Sequence, residues 1–148
     1  MANTIKGIKA IIKSKIESIK TDDVSIFKVI TDKPTAQFDG YPAVVIRPTG
    51  WSGDRIDTHR IERKFTFELD LYYEYGENSA DVAEAQETME SVSDMILQAF
   101  DQDNDLGQEV EVVNVVSGSL DFTNRPGVTM FATFLIECLV LVDGFSSS

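Results

Sequence analysis

Five isoleucines, Ile5, Ile8, Ile12, Ile16 and Ile19, recur at spacings of three and four, which places them on one stripe of a helix. Lys6, Lys9, Lys13 and Lys20 fall elsewhere around it, and Asn3 stands where an N-cap is expected. A basic amphipathic helix can lie on a membrane surface. This apolar face has no aromatic anchor, however, and reads as a face packed on a core. Val24 to Ile30 predicts a short strand, and Thr31 to Gly40, with Pro34 and Gly40, a loop. A second strand is expected from Tyr41 to Pro48, confined by Pro42 and Pro48 to a short pairing or an edge. Thr49 to His59 is polar, carries two glycines and reads as a loop.

From Ile61 to Tyr73 the pattern changes to period two. Ile61, Phe65, Phe67, Leu69, Leu71 and Tyr73 alternate with Glu62, Lys64, Thr66, Glu68 and Asp70, the signature of a strand with one buried and one wet face. After Gly76 and Asn78 the helical period returns. Val82, Ala85, Met89, Val92, Ile96 and Phe100 form the stripe of a helix from about Ser79 to Phe100 whose other faces are almost purely acidic. Its last turn carries no Lys or Arg to complement the dipole, so packing must hold it. Val110 to Val116 predicts a strand, Gly118 to Gly127 a loop, and Val128 to Val142 a closing strand. That last segment is apolar at Val128, Met130, Ala132, Phe134, Ile136, Cys138, Val140 and Val142, and again at Phe131, Leu135, Leu139 and Leu141. A strand apolar on both faces needs cover on both. Two helices can cover one face; the other calls for sheet curvature or a second subunit. The expected fold is α+β, a mostly antiparallel sheet of about five strands with two helices in the order α-β-β-β-α-β-β. It forms a single domain over residues 1–148, with a core over about 4–143 and a short flexible tail at 144–148.

Composition narrows the function classes. The chain of 148 residues is 43% apolar and 26% charged, an ordinary globular mixture. No stretch reaches the roughly 20 apolar residues of a membrane span, and the N-terminal lysines interrupt any signal-peptide core, so a soluble protein made in the cytoplasm is expected. The net charge of −12 is unevenly spread. Residues 1–64 hold twelve of the thirteen basic side chains against eight acids, a net of +4; residues 65–148 hold Arg125 against seventeen acids, a net of −16. Such a balance disfavours sequence-specific nucleic-acid binding, which needs a dense basic patch. It is compatible with a basic part of one copy meeting an acidic part of the next, and equally with acids that simply coat solvated faces.

Candidate chemistry is sparse. The one histidine, His59, has no G-x-S-x-G elbow to serve, and the one cysteine, Cys138, lies among apolar residues where an inert thiol is expected. No phosphate-cradling glycine loop is present, and neither an enzyme nor a cofactor is expected. Asp101, Asp103 and Asp105 alternate as calcium ligands can, but Leu106 stands where the turn glycine belongs and Val112 where the bidentate glutamate belongs. A polar turn after a helix explains the same residues. Trp51, with Arg55, His59 and Arg60, has the composition of an interface hot spot; the alternative is that Trp51 folds back over the sheet edge. Phe131 and Leu135, on the second face of the closing strand, are further interface candidates.

The run Tyr41-Pro-Ala-Val-Val-Ile-Arg-Pro, the polar segment after it, Arg63-Lys-Phe-Thr-Phe-Glu-Leu-Asp-Leu-Tyr-Tyr, and the acidic helix ending Asp94-Met-Ile-Leu-Gln-Ala-Phe together resemble the tail terminator and tail-completion proteins of long-tailed bacteriophages. The resemblance covers about residues 4–143 in element order and length. It implies a virion protein assembled in the host cytoplasm, a homo-oligomeric ring of commonly six copies at the head-proximal end of the tail tube. Such a ring stops tube polymerisation and joins the head–tail connector. DNA would then be a partner only as the genome passing through an acid-lined channel, and no membrane is involved. Two alternatives remain: a head-completion or neck connector protein, and a non-viral calcium-binding or regulatory domain built on residues 101–107.

Overall fold

A computed structural model of the chain describes residues 3–21, 23–32, 40, 42–74, 79–121 and 129–143. Two helices and a five-stranded sheet make an α+β fold, as the periodicities predict. The first helix, α1 (Ile5–Glu17), buries Ile8, Ile12 and Ile16 completely. Its cap is Thr4 rather than Asn3: the Thr4 hydroxyl accepts the Gly7 N–H at 3.0 Å, the ordinary reach of an N-cap to the third helical residue. The expected strand Val24–Ile30 divides. A small ladder pairs β1 (Lys20–Thr21) with β2 (Val24–Ser25), and β3 (Val29–Thr31) joins the main sheet.

The main sheet runs β3, β4 (Ala43–Arg55), β5 (Arg60–Glu74), β7 (Thr129–Asp143), β6 (Val112–Asp121). Only the β3–β4 pair is parallel; the other three are antiparallel. Two boundaries differ from expectation. Thr49 to Arg55 is strand, not loop, because it pairs residue by residue with β5 from Gly50↔Thr66 to Arg55↔Ile61. Pairing with a strong strand overrides the weak propensity of Gly, Ser and Asp. Ser117 to Asp121 likewise extends β6 past Val116, held by β7. The rest of the expected 118–127 loop, and the 144–148 tail, lie outside the described residues.

Pro48 does sit at a margin. The register of β3 reaches only Ala43, Val44 and Val45, so from Ile46 onward β4 has no described neighbour on its outer side. An irregularity falls on each margin: in β4, beyond its pairing with β3, between Pro48 and Gly50, and in β6 between Val115 and Ser117. Through the registers Pro48↔Phe67↔Ile136↔Val115, the two bulges fall in one row across the sheet.

The second helix, α2 (Ser79–Gln102), and α1 pack on the same face of the sheet. Ala85, Met89, Val92, Ile96 and Phe100 of α2 join the α1 isoleucines over Val44, Ile46, Phe67, Leu69, Leu71, Phe134, Ile136 and Cys138 in one buried cluster. Fully burying a side chain of this size contributes about 1.5–3 kcal/mol. Lacking a basic last turn, α2 is terminated by its loop. Asp103 accepts the Gly107 N–H at 2.9 Å, and Leu106, Gly107 and Gln108 all take positive φ. Leu106 is buried there, which offsets the strain of a left-handed leucine.

Candidate functional site

Strand alternation decides which side chains share a face. On the helix side of the β4–β5 hairpin stand Trp51, Arg55, Ile61, Arg63 and Phe65; on the other side stand Ser52, Asp54, Glu62 and Lys64. Phe65 is still beneath the helices, but beyond it the hairpin outruns them. Trp51 is 65% exposed and Ile56, at the turn, 50%. The Arg63 guanidinium lies 5.9 Å from the centroid of the Trp51 ring, a cation–π contact, and its Nε is buried without a hydrogen-bond partner among the described residues. Asp57 builds the turn by accepting the His59 and Arg60 N–H groups at 2.7 and 2.8 Å, and the Arg60 guanidinium closes on the same carboxylate. Those backbone bonds first, and Arg60 second, hold the Asp57 carboxyl below its usual range. The structure thus brings together Trp51 and Arg55 on one face, with His59 and Arg60 at the turn. Trp51 does not fold back over an edge.

Phe131 and Leu135 lie across the sheet from the helices, half-buried, level with Tyr72 and Glu68. The Phe131 and Tyr72 rings meet at 5.1 Å. Close by, Arg47 binds Asp70 at 2.8 Å and also Glu68. The Asp70 side chain is nearly buried, and burial together with the Asp70 charge raises the Tyr72 hydroxyl above its ordinary pKa. This face therefore mixes apolar side chains with a paired charge network rather than presenting a dry apolar surface.

The Asp101–Asp105 loop is used locally. Asp103 gives one oxygen to the Gly107 N–H and the other to Lys15 Nζ at 3.1 Å, tying the end of α2 to α1. The backbone bond first, then Lys15, lowers its carboxyl below the usual range. No group of three or more His, Cys, Asp or Glu side chains placed to hold a metal ion occurs among the described residues. Cys138 is buried in mid-sheet, and desolvation pushes its thiol up to about 12.

One feature had no signal strong enough to find in sequence. Between α2 and the outer strand β6 lies a groove of about 670 Å³. Val116, Leu120, Leu97 and Phe134 supply its apolar lining and Glu90 and Asp94 its acidic part, and no basic side chain among the described residues lines it. Val116 and Leu120 are nearly half exposed. Ser93, itself buried, also lines it, and the Ser93 hydroxyl has no hydrogen-bond partner among the described residues. Gly118 lets β6 approach here, since a Cβ at that position would stand 2.6 Å from the Thr133 carbonyl oxygen. Among the described residues the edge of β6 is occupied only at its start, where the Val113 N–H is taken by the Asn104 carbonyl at 2.7 Å.

No described helix is long and apolar enough to cross a membrane. Compared with protein-family models and with curated proteins, the chain matches none.

Proposed function

We propose that this chain is a structural virion protein, a ring-forming terminator or completion protein at the head-proximal end of a long bacteriophage tail. The observation that carries the reading is a sheet that, among the described residues, is left open at both margins, β4 beyond Val45 on one side and β6 beyond Val113 on the other. A subunit with two different free edges is suited to head-to-tail association, and such association closes into a ring when the rotation between copies divides a full turn. The α+β fold and element order agree with what the resemblance implies, and the basic first part and acidic second part of the chain supply charges of both signs for contact between copies. The partners are further copies of the chain, the tail-tube protein and the head-side connector.

Two measurements test this. Light scattering over a concentration series, with negative-stain images of the same fractions, is expected to give closed rings of several subunits. Added to a polymerising tail tube, the protein is expected to arrest growth at one end. A chain that neither forms rings nor binds tube ends removes the reading, whereas binding confined to a head-side connector moves it to the neck.

A further inference from the structure

We propose that the groove between α2 and β6 seats the β4–β5 hairpin of a second copy of this chain, with β4 adding to the free edge of β6 and Trp51 entering the groove. The inference deepens the ring reading and rests on it for the identity of the partner.

Strand direction and sidedness come first. Since β4 and β7 run one way and β5 and β6 the other, a copy related by rotation about an axis along the strands presents its β4 antiparallel to β6. Antiparallel addition to an open edge is the ordinary mode of strand augmentation. The same rotation keeps the helix-bearing sides of the two sheets together. Trp51, Arg55 and Arg63 are on that side of the hairpin, and the groove under α2 is on that side of its neighbour.

The chemistry then matches surface to surface. The helix side of the hairpin offers an exposed indole and two guanidinium groups, while Asp54 and Glu62 are turned to the opposite face. The groove offers exposed Val116 and Leu120 and the carboxylates of Glu90 and Asp94. Three of the large apolar side chains left exposed fall on these two surfaces, Trp51 on one and Val116 and Leu120 on the other, with Ile56 at the hairpin turn. Each surface also holds a buried polar atom without a partner among the described residues, Arg63 Nε on the hairpin and Ser93 Oγ in the groove, and buried polar groups are rarely left so.

Within one copy Trp51 stands level with Val113, through Phe65 and Cys138. Seating it beside Val116 to Leu120 offsets the neighbouring strand, an offset that a closed ring takes up by tilting its strands against the ring axis, as in any sheet closed around an axis.

Cysteine pairs test the contact. Ser52 of β4 and Ser117 and Ser119 of β6 are exposed, on the face away from the helices, so Ser52→Cys combined with Ser117→Cys or with Ser119→Cys leaves the core untouched, the second pair giving up the Ser119–Thr133 hydroxyl contact at 2.9 Å. Buried Cys138 does not compete. Under mild oxidation at least one double variant is expected to give a ladder of covalent oligomers in steps of 16.5 kDa, while each single variant stops at dimers. Trp51→Ala is expected to weaken association by about 30-fold or more, as loss of an interface anchor does. Arg63→Glu and Asp94→Arg are each expected to reduce assembly alone and to restore it when mixed, since each then offers the other a matched surface. Rings that form without any ladder, and that tolerate Trp51→Ala, overturn the hairpin-in-groove contact and leave the ring reading standing. A chain at single-copy mass at every concentration, with no ladder, overturns the contact; tube capping then decides the ring reading separately.

Discussion

Phe67 and Trp51 stand on the same face of the same sheet, yet one is fully buried and the other 65% exposed. Pattern does not separate them, for both are aromatic and both point to the helix side. Reach does. Thirteen residues of α1 span about 20 Å and twenty-four of α2 about 36 Å, whereas the fifteen residues of β5 span about 50 Å. The strands outrun their cover, and where the helices stop, core chemistry becomes surface chemistry. The inward phase of β5 carries Phe67, Leu69 and Leu71 under the helices and Arg63 beyond them.

Phe67→Ala should therefore give the largest loss, about 3–5 kcal/mol in urea unfolding, because it opens a cavity in the middle of the cluster. A loss near zero would mean that the helices do not pack there. Arg47→Ala should rank next, about 1–3 kcal/mol, since it strips the nearly buried Asp70 carboxylate of its partner on the face without helices. Asp103→Asn should cost less, about 0–1 kcal/mol near neutral pH, because Lys15 and Asp103 are both partly exposed. Its sharper sign is in acid. A lowered carboxyl contributes stability that is present above the unfolded pKa of about 4 and is lost as pH falls through the folded value. The variant should flatten that acid limb. Trp51→Ala should change single-copy stability least, by no more than about 0.5 kcal/mol. A large drop would show the hairpin end to be core after all.

Much of this architecture was legible in the chain. Isoleucines three and four apart carry α1, an acidic helix with an apolar stripe carries α2, and alternation from Ile61 to Tyr73, broken on its apolar phase at Arg63, carries β5. Thr49 to Arg55 and Ser117 to Asp121 were not legible as strand, since Gly, Ser, Thr and Asp signal turns and only pairing with β5 and β7 holds them extended. Trp51 and Arg55 stood out by composition. Arg63 did leave a trace, a charge where the alternation expects an apolar residue, but its meaning depends on where the helices end. The groove had no trace, because Ser93, Val116 and Leu120 meet only through the packing of α2 on β6. The Asp101–Asp105 spacing resembled ligand chemistry because helix-ending turns use carboxylates too, here Asp103 for Gly107 and Lys15.

The paired bulges bear on solubility. A long, flat, unpaired edge invites any extended chain to zip onto it, and a subunit with two such edges would be prone to fibril growth. Here Pro48 and the irregularity at Gly50 interrupt one edge, and the irregularity at Val115–Ser117 interrupts the other at the same height. Each edge is thereby cut into runs of a few residues, too short for indiscriminate templating and kinked against a straight mate. Ring closure and freedom from aggregation would then have a common origin: these margins accept a strand bent to fit them and refuse one that is not.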